Sequence, residues 1–456
     1  MRDTFSTRLG FILVSAGCAI GLGNVWRFPF ITGRYGGASF VLIYLVFLLI
    51  LGLPIMVAEF AVGRASQRSA AKSFDVLEPR GTKWHLYKYG AIAGNLLLMM
   101  FYTTIAGWMI YYLYKTAAGG FAGLDAAGVG GVFAALLADP VTMVGYMLLT
   151  VLLCGGVCYL GVNRGVERIT KVMMVCLLAL MIVLAVNSVL LPGSGPGLEY
   201  YLLPDFGRLE SYSMNEVIFA AMGQAFFTLS LGIGALAIFG SYIGKEKSLT
   251  GEAAWVIALD TFVAIMSGFI IFPACSSFGV SPDSGPNLLF VTLPNVFNHM
   301  AGGQFWGALF FLFMAFAALS TVIAVFENIF ACLCELTGSP RPLIIPRAML
   351  LIAVLSLPCI FGFNIWSGWH PLGGTTGVLD LEDFLVSDNI LPLGSLVYLL
   401  FCTSRYGWGW NSFLKEADAG SGLKFPRGLH FYMNYILPLI VLYIFVNGYY
   451  AMFFSK

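Results

Sequence analysis

Hydrophobic positions along this chain fall into eleven long runs separated by short polar connections, near residues 9–30, 38–66, 87–117, 141–161, 166–191, 214–243, 252–279, 304–336, 345–363, 383–403 and 430–453. A helix needs about 20 apolar residues to cross a bilayer, and each run meets or approaches that length. The pattern predicts an all-α polytopic membrane protein with 11 transmembrane helices. Two connections are long, 192–213 and 280–303. The second holds the apolar stretch Leu288 to Val296, which fits either a short helical cap or a loop lying on the interface.

The connections carry a strong charge bias. With the N-terminus placed in the cytoplasm, inside segments hold nineteen Lys and Arg residues and the outside holds five. Cytoplasmic loops are enriched in these residues, so the alternation predicts a cytoplasmic N-terminus and an external C-terminus. Composition agrees with this class. Of 456 residues, 59% are hydrophobic and 10% charged, with a mean hydropathy of +0.86, whereas a soluble domain carries about 25% charge. The net charge of +1 argues against a nucleic-acid partner. The first residues show no short apolar region with a small-residue cleavage site, so no signal peptide is expected. Nine cysteines, nearly all in apolar runs, and four widely spaced histidines suggest neither a disulfide framework nor a metal cluster.

Two runs break their own rules. In the first, Gly21 and Gly23 are poor helix formers, and Asn24 and Arg27 are expensive in lipid; an arginine near the bilayer centre costs roughly 2.5–3.5 kcal/mol on insertion scales. The sixth run carries a similar Gly-x-Gly within 229–235, Leu-Ser-Leu-Gly-Ile-Gly-Ala. Small residues for tight helix packing explain either one alone. Together, five runs apart, they predict an inverted repeat with spans 1 and 6 unwound near the midplane. The division is 1–191 (spans 1–5), 214–403 (spans 6–10) and an additional span at 430–453, with no separate soluble domain. Unwinding offers free carbonyls to a cation and a half-helix N-terminus to an anion.

Four stretches carry a family resemblance: RLGFILVSAGCAIGLGNVWRFPF (8–30), GASFVLIYLVFLLILGLPIMVAEFAVGR (37–64), GQAFFTLSLGIGAL (223–236) and AFAALSTVIAVFE (315–327). The chain resembles the neurotransmitter:sodium symporter family over essentially its whole length, and its eleven spans are similar to the bacterial branch. The resemblance implies two sodium sites. The first would use the Ala19 carbonyl, the Asn24 side-chain oxygen, the carbonyl and hydroxyl of Thr228, and Asp260, with the substrate carboxylate completing the shell. The second would use carbonyls of Gly17, Ile20 and Ala317 with hydroxyls of Ser320 and Thr321. Hard cations take oxygen ligands, although Ser and Thr in membrane helices also bond back to their own helix.

Asp260 departs from the family, which usually has Asn there, and Ala264 follows one turn later. A fixed carboxylate replaces the bound chloride of the animal members, so transport is expected to need no chloride. Alternatively, Asp260 sits in water near the end of span 7. Position 21, where monoamine carriers place an acid, is glycine. The implied substrate is therefore a neutral hydrophobic or aromatic L-amino acid. Its carboxylate would meet the first sodium, the amides near Leu22 and Gly23, and the Tyr102 hydroxyl. Its ammonium would meet carbonyls near Ala19, Phe227 and Ser230. Leu98, Tyr102, Phe227, Ser230, Ile233, Thr321 and Val325 would line the side-chain pocket, with Cys18 beside the site.

Gates are implied on both faces: Arg27 with Asp383, bridged by Gln224, with Phe227 above Tyr102 and Asp380 as a second outer acid; and Arg2 with Glu335, near Ser241 and Tyr242. Phe5 stands where the family usually has Trp. Glu59 is expected to satisfy amides freed by the break in span 1. The expected localisation is the plasma (inner) membrane. A proton-coupled carrier using Asp260, an intramembrane enzyme and a channel remain alternatives; no His-Glu-x-x-His motif or evident acid pair supports the enzyme.

Overall fold

A computed structural model of the chain describes residues 5–280 and 287–454. Helices dominate, and no strand is present among the described residues beyond one isolated bridge, Lys247 to Ser421. In chain order the α-helices are α1 (Arg8–Ala19), α2 (Phe28–Arg34), α3 (Ala38–Phe47), α4 (Leu53–Ser66), α5 (Ser73–Leu77), α6 (Tyr87–Ala117), α7 (Ala126–Ala138), α8 (Pro140–Tyr159), α9 (Arg168–Val189) and α10 (Gly195–Leu202). There follow α11 (Met214–Thr228), α12 (Ala235–Gly240), α13 (Leu249–Ser277), α14 (Leu293–His299), α15 (Gly303–Thr337), α16 (Arg341–Gly362), α17 (Val378–Asp383), α18 (Leu391–Thr403), α19 (Trp410–Ala417) and α20 (Leu437–Phe454).

Among the described residues, nine continuous helices are long and apolar enough to cross a membrane. A further pair, Arg8–Ala19 with Gly23–Arg34, qualifies together but bends by 56°. The 214–243 run folds as α11 and α12, separated by the non-helical stretch 229–234. Long helix α15 is the axis of the bundle: 78% of its apolar window is buried, against 29% for the last helix. Leu152, Val172, Leu350 and Leu439 are exposed on the perimeter, where hydrocarbon would replace water as the contacting medium.

Wide π turns interrupt many spans, and five of them obey one rule. The turns Gly23–Arg27, Leu48–Gly52, Leu288–Thr292, Phe384–Ile390 and Tyr432–Ile436 each end two residues before a proline: Pro29, Pro54, Pro294, Pro392 and Pro438. Proline lacks the N–H for the i→i−4 bond, and its ring clashes with the carbonyl of that turn. Widening the preceding turn relieves the clash without breaking the span.

Several connections carry helices, α5, α7, α10, α14 and α19 among them. The apolar stretch at 288–299 forms the helical cap: Leu288, Leu289 and Phe290 are buried, Tyr112 donates to the Phe290 carbonyl at 2.9 Å, and Phe290 stacks on Phe133 at 4.9 Å. Residues 281–286 of that connection lie outside the described residues. Helix α7 has no counterpart in the hydrophobic pattern. Its 13 residues are capped by Asp125, which accepts from the Gly128 amide at 2.8 Å. At 1.5 Å per residue it is too short to span.

Candidate functional site

The first break follows from where three amides point. Ile20 N–H still donates to the Ala16 carbonyl. The next amide, Gly21, turns to the Asn24 Oδ1 at 3.0 Å, and Leu22 turns to the Tyr102 hydroxyl at 3.0 Å. The carbonyls of Gly17 and Cys18, four residues earlier, thereby lose their helical donors. Gly21 is required by packing. A Cβ there would stand 2.6 Å from the Thr321 Oγ1 and would also strike the Tyr102 hydroxyl.

The second break lies between α11 and α12. Ser230, Gly232 and Gly234 take φ values of 51°, 91° and 75°, the left-handed region that ends a helix. Gly232 N–H donates to the Glu59 carboxylate, so the Thr228 carbonyl loses its donor. The Gly232 carbonyl accepts from the Tyr87 hydroxyl, and the Ile233 carbonyl accepts from Asn95 Nδ2 at 2.8 Å. Glu59 therefore serves the break in the sixth run, not the first as the sequence suggested. Its helix α4 packs directly on α12, close enough that the Gly63 and Gly240 positions tolerate no side chain.

Asn24 and Thr228, one from each broken segment, converge on Asp260 of α13. Asn24 Nδ2 donates to the Asp260 carboxylate at 2.8 Å and to its backbone carbonyl at 3.1 Å; the Thr228 hydroxyl lies 3.1 Å from the other carboxylate oxygen. Asp260 is fully buried, which removes the reading that it stands in water. Ser267 Oγ fixes the Asn24 carbonyl at 2.8 Å. The buried phenol of Tyr44 stands beside the same carboxylate and hydroxyl; nothing in its sequence context signalled that.

A second oxygen cluster forms where α1 meets α15. The Thr321 hydroxyl reaches the carbonyls of Gly17 (3.3 Å), Ile20 (3.2 Å) and Ala317 (3.4 Å), and Ser320 Oγ lies 3.0 Å from the Ala317 carbonyl. Both hydroxyls thus bond back to their own helix, yet Thr321 also faces the unwinding end of α1. All five groups named from the resemblance are brought together.

Between the two clusters lies a cavity of about 20 Å³, lined by Cys18, Ala19, Gly21, Gly23, Leu98, Tyr102, Phe227, Ser230 and Thr321. Val386 and Leu391 complete its lining. Ile233 and Val325, expected in the pocket, are buried but stand outside this lining. No charged side chain enters it. Above, a cavity of about 310 Å³ is bounded by Leu22, Arg27, Tyr102, Phe227, Asp380 and Asp383, among others.

The expected Arg27 gate is unlatched. No ion pair within 4.0 Å joins Arg27 to Asp383. The guanidinium lies over the Phe227 ring at 4.4 Å, while Asp383 accepts from Ser387 Oγ at 2.7 Å. Gln224 bridges neither; its Nε2 donates to the Gly23 carbonyl at 2.9 Å and steadies the first break.

At the opposite end, Arg2 lies outside the described residues. Glu335 accepts from the Ser69 amide at 3.1 Å and hydroxyl at 2.8 Å, and Ser241 Oγ donates to Ile238 at 2.6 Å. The Phe5 ring meets Tyr242 edge-on at 5.6 Å, and Phe5 N–H donates to the Tyr242 carbonyl at 3.2 Å. The Tyr242 hydroxyl in turn donates to Glu327 at 2.8 Å, and Glu327 pairs with Arg341 at 2.6 Å. Sequence reasoning missed that pair; an acid within an apolar run, fourteen residues before an arginine, was its signal.

Residues 2–122 and 137–454 match the sodium:neurotransmitter symporter family. The chain is 34% identical over 97% of its length to YhdH of Bacillus subtilis, described as an uncharacterized sodium-dependent transporter, covering 97% of that protein. It is 30% identical to a sodium-dependent transporter of Haemophilus influenzae, with 98% of both chains covered. Against the sodium-dependent serotonin transporter of Drosophila melanogaster the identity is 26%, over 98% of this chain and 76% of that one. Among solved structures, MhsT in complex with L-phenylalanine superposes with a TM-score of 0.88 at 36% identity, over 98% of this chain and 100% of that one. These relatives are transporters rather than enzymes, and by its sequence and its fold the chain belongs to the sodium:neurotransmitter symporter family.

Proposed function

We propose that this sodium-coupled transporter carries a neutral hydrophobic or aromatic L-amino acid into the cell, with two sodium ions and without chloride. One observation carries the reading: a fully buried carboxylate, Asp260, clasped by Asn24 and Thr228 from the two broken helices. A buried charge needs a compensating partner. Among the described residues no cationic side chain pairs with Asp260, so a cation seated on the neighbouring oxygens is the natural complement. The first ion would take the Ala19 and Thr228 carbonyls, the Asn24 and Thr228 side-chain oxygens and Asp260. The second would take the Gly17, Ile20 and Ala317 carbonyls with Ser320 and Thr321.

The substrate class rests on the small cavity. Its polar edge, the Tyr102 hydroxyl held in place by the Leu22 amide, suits a carboxylate, and its apolar walls suit an uncharged side chain. The L-phenylalanine in the MhsT complex supports this class. Alternating access would proceed from sodium, to substrate, to pairing of Arg27 with Asp383 above Phe227, to release past Phe5. We assign the N-terminus to the cytoplasm of a plasma (inner) membrane, with spans 1–5 and 6–10 as inverted repeats and one span added. Two sodium ions, each driven by roughly 2.3 kcal/mol per 100 mV and about 1.4 for a tenfold gradient, support about 10⁵-fold accumulation.

The test is uptake of labelled L-phenylalanine into proteoliposomes. Replacing sodium by choline at fixed pH should abolish accumulation; replacing chloride by gluconate should leave it unchanged. Uptake that persists in choline and follows an imposed pH gradient would replace sodium by a proton on Asp260. Downhill equilibration without accumulation would indicate a channel.

A further inference from the structure

The substrate cavity has a wall that the sequence did not anticipate. At about 20 Å³ it holds little more than one water molecule, so no apolar amino-acid side chain enters unless a wall yields. The walls are unequal in stiffness. Leu98 and Tyr102 belong to α6, and Thr321 to α15, both uninterrupted α-helices of 31 and 35 residues. Val386 instead lies within the π turn Phe384–Ile390, and Leu391 directly follows that turn, just ahead of Pro392. The step of five residues between them is the i→i+5 spacing of π winding. Their side chains are 0% and 3% exposed.

The same segment runs past both cavities. Leu379, Asp380 and Asp383 border the larger one above, and Val386 and Leu391 the smaller one below. It also leans on the second break, backbone against backbone. The Gly394 position abuts the Gly232 carbonyl so closely that a Cβ would collide, and a Cβ on Gly232 would lie 2.7 Å from the Ser395 amide.

We infer that the π turn at 384–390 is the adjustable wall of the substrate site, and that Val386 and Leu391 set the size of amino-acid side chain it accepts. This rests on the amino-acid reading above and deepens it. Widening or straightening the turn moves two apolar side chains toward or away from the ligand while α6 and α15 stay fixed. Both are positioning residues for selectivity; neither touches the oxygen clusters.

The test is sodium-dependent binding of alanine, leucine, phenylalanine and tryptophan to purified protein in nanodiscs, for the wild type and for Val386→Ala, Leu391→Ala and Val386→Phe. Removing two methyl groups from an apolar contact changes affinity by about tenfold. The alanine variants should therefore raise tryptophan affinity relative to leucine by about that factor. Val386→Phe should shift preference the other way, towards alanine. Sodium dependence should survive in all three. Unchanged ratios across the panel, in folded variants that still bind with sodium, overturn the inference. Wild-type protein that binds none of the four with sodium overturns the amino-acid reading instead. Should Val386→Phe not fold, the two alanine variants decide the question alone.

Discussion

Replacing Asp260 by Asn removes a charge while keeping the shape and most of the hydrogen bonds. A cation coordinated by Asp260 together with the Asn24 and Thr228 oxygens would hold its charge within about 4 Å of the centre of the carboxylate charge, and both side chains already meet that carboxylate, Asn24 Nδ2 at 2.8 Å and the Thr228 hydroxyl at 3.1 Å. At that separation two unit charges attract by about 4 kcal/mol at an effective dielectric of ~20. Relaxation of the site absorbs part of this, and we expect at least about 2 kcal/mol to remain, a rise of about 30-fold in half-saturating sodium. Ala264, one turn along α13, offers no second acid to compensate. A mobile anion is then the remaining source of negative charge, so chloride should lower the sodium requirement of Asp260→Asn and leave the wild type unmoved. The assay is sodium titration of L-phenylalanine binding at pH 7, in chloride and in gluconate, on protein shown to be folded by gel filtration and thermal melting. A variant with sodium affinity within threefold of the wild type in gluconate would refute the electrostatic argument.

Three further outcomes follow from other contacts. Converting both Ser320 and Thr321 to Ala deletes the hydroxyls facing Gly17 and Ile20; the sodium dependence of uptake should lose its cooperativity, its Hill coefficient falling from near two towards one, and an unaltered coefficient counts against a second ion there. Gly21→Ala places a methyl group within 2.6 Å of the Thr321 hydroxyl, so ligand binding should drop by about 5- to 150-fold, since a clash of this kind costs about 1–3 kcal/mol; wild-type affinity would show that the break can move aside. Arg64→Ala strips the fully buried partner of Glu416, which it meets at 2.7 Å, and removing one member of a buried pair costs about 3–5 kcal/mol. Lys245, 3.1 Å from the same carboxylate, limits the damage, but a melting temperature within about 2 °C of wild type would contradict the pairing.

What the sequence disclosed, and what it withheld, divides along a physical line. Span positions were legible because hydrophobic length is a one-dimensional property; the run at 87–117 coincides with α6 at both ends. The breaks were legible because Gly-x-Gly and buried polar residues are penalised in lipid, so their presence demanded a reason. Asp260 could be placed against Asn24 only through the resemblance, since 236 residues separate them. Which amides Glu59 would serve was not legible: α4 approaches both broken segments, and only the packing of Gly63 on Ala237 selects the second. Side-chain state was hidden as well. Arg27 and Asp383 border one cavity as expected, yet each has taken another partner, Phe227 and Ser387. Helix α7 was missed because thirteen apolar residues are too few to stand out where spans are the pattern sought. The π turns were missed although each of five has a signature in plain view, a proline two residues beyond the widened stretch.

Those prolines have a mechanical consequence. In an ordinary transmembrane helix, flexing at a point strips an N–H and a carbonyl of each other in a medium that supplies no substitute, at several kcal/mol. Where the donor never existed, that penalty is absent: the ladder already has a missing rung, and tilting one half against the other forfeits no bond the resting chain was making. Five such joints, at residues 23–27, 48–52, 288–292, 384–390 and 432–436, distribute compliance through the bundle at fixed addresses. Motion is thereby steered to chosen points, and α6 and α15, which lack them, are left as the rigid frame against which everything else swings.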